Sequence, residues 1–105
     1  MLEMKKNKTL ELVPSIFLQE IKELDKYWAF NIETGEHYSL NQTSYWILAQ
    51  IGESRPLSDI SHDFIDTFDV EEEVGINDFN NIIKNFLDEG IIERRGENEE
   101  RKSKV

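Results

Sequence analysis

The strongest constraint on this chain is a change of hydrophobic period at Asn41. Upstream, the runs 16–21, 26–32 and 36–40 place apolar residues at every second position, as strands with one buried face require. Downstream, from Gln42, they recur every three or four residues, as helices with one buried stripe require. The switch falls inside Asn31–Ser44, N-I-E-T-G-E-H-Y-S-L-N-Q-T-S, with no linker to absorb it. Thr34-Gly35 reads as a turn, with Gly35 where positive φ is wanted. Glu36 to Leu40 is then a short strand, with Tyr38 and Leu40 on one face and His37 and Ser39 on the other. Asn41 offers its side-chain oxygen to the free amides of the next helix.

The remainder of the chain is read outward from that switch. Residues 1–11 are polar and without period, and are expected to be a flexible arm. Ile16 to Ile21 predicts a strand, Lys22 to Asp25 a charged turn, and Lys26 to Ile32 a second strand with Trp28, Phe30 and Ile32 on one face. With Glu36–Leu40 these make a three-stranded antiparallel meander. Trp28 and Phe30 are assigned to the core, and Tyr27, Tyr38 and Trp46 are candidates for partial exposure. The first helix is expected over Gln42–Ile51, ended by Gly52. The second starts after the N-cap Ser58 and carries Ile60, Phe64, Ile65 and Phe68. Asp69 to Gly75 reads as a glutamate-rich linker, part of which can extend the third helix. That helix is placed at Asn77–Glu89, with Phe79, Ile82, Ile83, Phe86 and Leu87 in one stripe and Gly90 as its cap. Residues 12–95 form the expected domain, an α+β winged-helix-like fold of three strands followed by three helices. Residues 96–105 are expected to be a disordered tail.

Composition removes several function classes. The chain has 105 residues and no cysteine, so thiolate metal sites and disulfides are excluded. His37 and His62 are too few for a histidine-rich metal site. No apolar run approaches the roughly 18 residues of a membrane span, and no secretory signal is visible, so the expected location is the cytoplasm. No nucleophile–base motif, metalloprotease motif or phosphate loop occurs, so no catalytic residue and no cofactor are assigned. The net charge is −10, and residues 12–95 hold six basic against seventeen acidic residues. A DNA reader must neutralise phosphates. The third helix sets one lysine, Lys84, against Asp78, Asp88 and Glu89, so a winged-helix shape does not carry a DNA function here.

The last strand of the meander has a free edge. Brevity and Glu36 can serve simply to protect it. Alternatively a partner peptide adds a strand there, its side chains filling a groove beside the third helix.

Three segments resemble the family of the pyrroloquinoline quinone biosynthesis protein PqqD. The first is Phe30 to Leu48, with its T-G turn and Leu40-Asn41-Gln42-Thr43. The second is Arg55-Pro56-Leu57-Ser58-Asp59-Ile60. The third is Asp78-Phe79 with Ile82-Ile83 and Phe86, followed by Gly90-Ile91-Ile92. Together they span about Pro14 to Ile92. The chain departs from the family at Ser44, where alanine is common, and in a longer Asp69–Asn77 link. The resemblance implies a non-catalytic recognition element for ribosomally made, post-translationally modified peptides. Such a domain binds a precursor's leader segment as an added strand and presents it to a modifying enzyme, a radical-SAM maturase or a leader peptidase. Carried over by position, the site comprises Glu36, His37, Tyr38, Ser39 and Leu40 on the strand, with Phe79, Ile82, Ile83 and Phe86 as the helix wall. No nucleic acid or membrane partner is implied, and the chain is expected to be a monomer or weak dimer. The competing reading is an acidic winged-helix regulator that binds protein or DNA.

Overall fold

A computed structural model describes residues 9–94. The elements are β1 (Leu10–Leu12), β2 (Ile16–Ile21), a 3-10 turn (Lys22–Leu24), β3 (Lys26–Asn31), β4 (His37–Leu40), α1 (Gln42–Gly52), α2 (Leu57–Phe68), α3 (Glu72–Asp88) and β5 (Ile92–Arg94). Strands β2, β3 and β4 form the antiparallel meander, in that order, and the three helices follow it. This is the expected α+β architecture. A second, two-stranded ribbon pairs β1 with β5, Leu10 opposite Arg94 and Leu12 opposite Ile92. The arm expected over residues 1–11 therefore gives way to structure at Leu10, which is fully buried. A three-residue strand is too short to show a period, which is why Leu10–Leu12 did not announce itself. Residues 1–8 and the tail expected over 96–105 lie outside the described residues.

The turns are built by side chains that accept main-chain N–H groups. Asn31 Oδ1 accepts from Glu33 (2.9 Å) and Thr34 (3.3 Å), closing the β3–β4 turn. Gly35 takes φ of 82°, the left-handed conformation that glycine adopts without steric cost. Asn41 caps α1, its Oδ1 accepting from the Ser44 N–H at 2.8 Å.

Three helix boundaries differ from expectation. Gly52 belongs to α1, and the left-handed residue after the helix is Ser54 (φ 64°). Gly52 instead makes room for β1, since a β-carbon there would stand 3.3 Å from Leu12 Cδ1. The cap of α2 is Pro56 rather than Ser58, with Leu57 as its first residue. Helix α3 begins at Glu72, so the link before it is only three residues, 69–71, and not the long Asp69–Asn77 link expected. Gly75, read as a linker residue, is a buried helical residue packed against Val70 and Ile65.

The core lies between the inner sheet face and the helices. It is made of Ile16 and Ala29 from the sheet, Ile47, Leu48 and Ile51 from α1, Ile60 and Phe64 from α2, and Phe79, Ile83 and Phe86 from α3, closed by Leu10, Ile91 and Ile92. An aromatic run crosses it: Trp46 meets Phe68 edge-on (centroids 5.6 Å), and Phe64 lies between Phe68 (5.4 Å) and Phe79 (5.9 Å).

The shared face of Trp28, Phe30 and Ile32 is the outer one. Tyr27 (8% exposed) and Ala29 (0%) point inward instead, while Ile32 is 66% exposed. A strand of alternating large residues states that two faces differ, not which of them meets the helices. Small Ala29 marks the inner face because α1 crosses the sheet there.

Candidate functional site

The phase of the β3–β4 ladder fixes which backbone groups remain open. Asn31 N–H donates to the Glu36 carbonyl at 2.9 Å. In an antiparallel pair, hydrogen-bonded and non-bonded positions alternate. Tyr38 and Leu40, opposite Ala29 and Tyr27, therefore exchange bonds with β3. His37 and Ser39 turn their N–H and C=O groups the other way. No strand among the described residues pairs with that side of β4.

Side chains on β4 divide by face. Tyr38 and Leu40 are half-buried and pack against the margin of the core. Tyr38 O–H donates to Glu36 Oε1 at 3.0 Å, and Thr34 Oγ1 donates to the same oxygen at 3.3 Å. The Glu36 bond, partial burial, and then the charges of Glu36 and Glu89 push the Tyr38 phenol above its ordinary range. Tyr38 is thus a neutral donor at physiological pH. Glu89 immediately follows α3, so the end of that helix lies within electrostatic reach of β4. On the outer face, the exposed His37 ring meets Phe30 edge-on, centroids 5.0 Å apart. Ser39 is exposed.

The expected helix wall is split by burial. Phe79 (3%), Ile83 (8%) and Phe86 (5%) are core residues, and Ile82 alone of the four sits half-exposed at the margin. The i, i+3, i+4, i+7 stripe that reads as a groove is the same stripe that a helix uses to join its core. Beside Ile82 lies a cleft of about 360 Å³. One wall is the start of α1, with Asn41 and Thr43; the other is Asp78, Asn81 and Ile82 of α3; Phe64, Phe68 and Val70 form the floor. The cleft begins where β4 ends, because Asn41 follows Leu40 directly. Thr43, Asp78 and Asn81 were not foreseen as lining residues. Their signal is a second stripe on α3, Asp78 and Ile82 at i, i+4, one position off the core stripe.

The described residues contain no group of three His, Asp or Glu side chains placed to hold a metal ion. No helix among them is long and apolar enough to cross a membrane. On α3, Lys84 is engaged with Asp88 at 3.3 Å, which leaves that face without a free cation among its described side chains.

These features define a class: a small winged-helix-like α+β domain with an unpaired strand edge beside a helix-lined cleft. Residues 27–92 match the model of the coenzyme PQQ synthesis protein D family, and the chain belongs to that family. As a PqqD-type domain it is a non-catalytic adaptor. Among solved structures, it is similar to TbiB1 in complex with the TbiA(beta) leader peptide, at 13% identity and a TM-score of 0.69, covering 82% of this chain and 95% of that one. It is also similar to a lasso peptide synthetase B1 complexed with its leader peptide, at 17% identity and a TM-score of 0.69, covering 80% and 96%. Comparison with the curated proteins gave no match.

Proposed function

We propose that this protein binds the leader segment of a ribosomally made precursor peptide by β-augmentation on β4, and that it acts in the cytoplasm to deliver the peptide to a modifying enzyme or leader peptidase. The supporting observation is the open edge at His37 and Ser39 on a strand that runs, at Asn41, into the wall of the Ile82 cleft. Main-chain bonds to an edge give affinity without sequence preference, and an adjacent pocket for alternate side chains gives selectivity. In this reading, peptide residues that bond His37 and Ser39 send every second side chain toward Tyr38, Leu40 and Ile82. Glu36 holds Tyr38 in place, while Phe79, Ile83 and Phe86 support the cleft from behind. Both structurally similar proteins named above were solved with leader peptides, which is consistent with this use of the fold.

The test is fluorescence anisotropy with labelled candidate leader segments of ribosomally made precursor peptides. Ser39→Pro removes an outward N–H but no bond to β3, and its ring blocks an incoming strand. The variant is expected to lose at least tenfold in affinity while keeping the wild-type circular dichroism. Wild-type affinity in Ser39→Pro would place the peptide elsewhere.

A further inference from the structure

The outer face of the meander carries an apolar group away from the core: Phe17 and Ile32 are exposed, and Trp28 and Phe30 between them are half-buried. Phe17, Phe30 and His37 stand in one cross-strand row, and Gln19, Trp28 and Ser39 in the next. Phe17 is 53% exposed and Ile32, which continues the β3 ladder by donating to the Ser15 carbonyl, is 66% exposed. The inner-face residues Leu18, Tyr38 and Leu40 pack on the core; Phe17, Trp28, Phe30 and Ile32 do not. Singly exposed apolar residues need no explanation, but four neighbouring ones on one sheet face of a chain of net charge −10 do.

We infer that this outer face, centred on Phe17, Trp28, Phe30 and Ile32, is the docking surface for the enzyme that receives the bound leader. The inference rests on the peptide-binding reading above. It commits to a folded protein partner for three reasons. An adaptor must contact its enzyme through a surface other than the peptide cleft. This face is continuous with the proposed peptide edge: His37 and Ser39 open their backbones to the edge and carry their side chains on the face. A strand added to β4 therefore extends the face with every second peptide side chain, so the enzyme meets adaptor and substrate on one surface. Charge disfavours a second copy, because two chains of net charge −10 repel each other as they approach. The complementary partner surface has an apolar centre and belongs to a protein of net positive charge.

The test uses the full chain and a purified candidate modifying enzyme, a radical-SAM maturase or a leader peptidase. Phe17→Ser/Ile32→Ser changes two solvent-facing side chains and leaves the cleft intact. Expected are unchanged leader affinity, loss of at least tenfold in enzyme affinity by biolayer interferometry, and an equal loss in the modification rate at subsaturating adaptor. Enzyme binding equal to wild type overturns the inference. So does a wild-type dimer in analytical ultracentrifugation that the double variant converts to monomer, because a second copy is then the occupant. If wild type binds no leader, the peptide reading falls on its own. The direct enzyme-binding arm still decides the docking surface.

Discussion

Gly75 lies so close to Ile65 that a β-carbon built on it would stand 2.9 Å from Ile65 Cγ1, and 2.7 Å from Val70 Cγ2. This approach joins the first turns of α3 to the end of α2, the pair that forms the far side of the cleft. Replacing a helical glycine by alanine gains roughly 1 kcal/mol of helix propensity. Here overpacking, about 1–3 kcal/mol, opposes it. Gly75→Ala is expected to lower the thermal midpoint, and a raised midpoint would show that α2 and α3 have room to part.

Phe79 and Ile82 separate core from cleft on one helix. Phe79 is buried against Phe64, while Ile82 is half-exposed on the cleft wall. Phe79→Ala is expected to cost about 3–5 kcal/mol in urea unfolding. Ile82→Ala is expected to cost clearly less in stability and to weaken leader binding several-fold. Equal unfolding costs would mean that the cleft is filled rather than open.

Asn41 both caps α1 and lines the cleft. Asn41→Ala removes the acceptor for the Ser44 N–H and is expected to cost about 1 kcal/mol. Asn41→Ser, which keeps a capping oxygen, should recover most of that loss. Urea midpoints of the two variants give the comparison, and equal midpoints would show that the cap contributes nothing.

Alkali should lower the stability of this protein through three tyrosines. Tyr27 is shifted upward chiefly by its hydrogen bond to Asp25, Tyr38 by its bond to Glu36, and Tyr45 by burial. A folded-state value above the unfolded value of 10.0 means the native state holds its proton more tightly. The associated stability is complete below that value and is lost as pH rises through the folded-state values. Thermal midpoints are expected to fall above about pH 10, with tyrosinate absorbance rising in step with loss of ellipticity. Tyr38→Phe should soften that fall; a profile identical to wild type would remove Tyr38 from this account.

The strand-to-helix switch at Asn41 was legible because two periods meet there without a linker, and an asparagine at such a junction can offer its side-chain oxygen to the free amides of the helix. The open edge was legible from the same brevity. Facing was not. Trp28 and Phe30 carry far more apolar surface than Ala29, yet Ala29 is the fully buried residue, since closeness to the helices rather than apolar mass selects the inner face. Gly52 was read as a helix stop and Gly75 as a linker residue, whereas both sit inside helices where a neighbouring side chain occupies the space of their missing β-carbon. The same limit split the proposed site: period alone cannot separate Phe79, Ile83 and Phe86, which the core takes, from Ile82, which it leaves at the surface.

The β1–β5 ribbon sets Leu10 directly across from Arg94. The described chain therefore enters and leaves through one doorway, formed apart from the meander that carries β4. A domain with adjacent ends can be spliced into a surface loop of a larger protein, or rejoined end to end and reopened at another loop, without asking its interior to rearrange. The recognition unit is in that sense a portable cassette, held by a two-strand clasp.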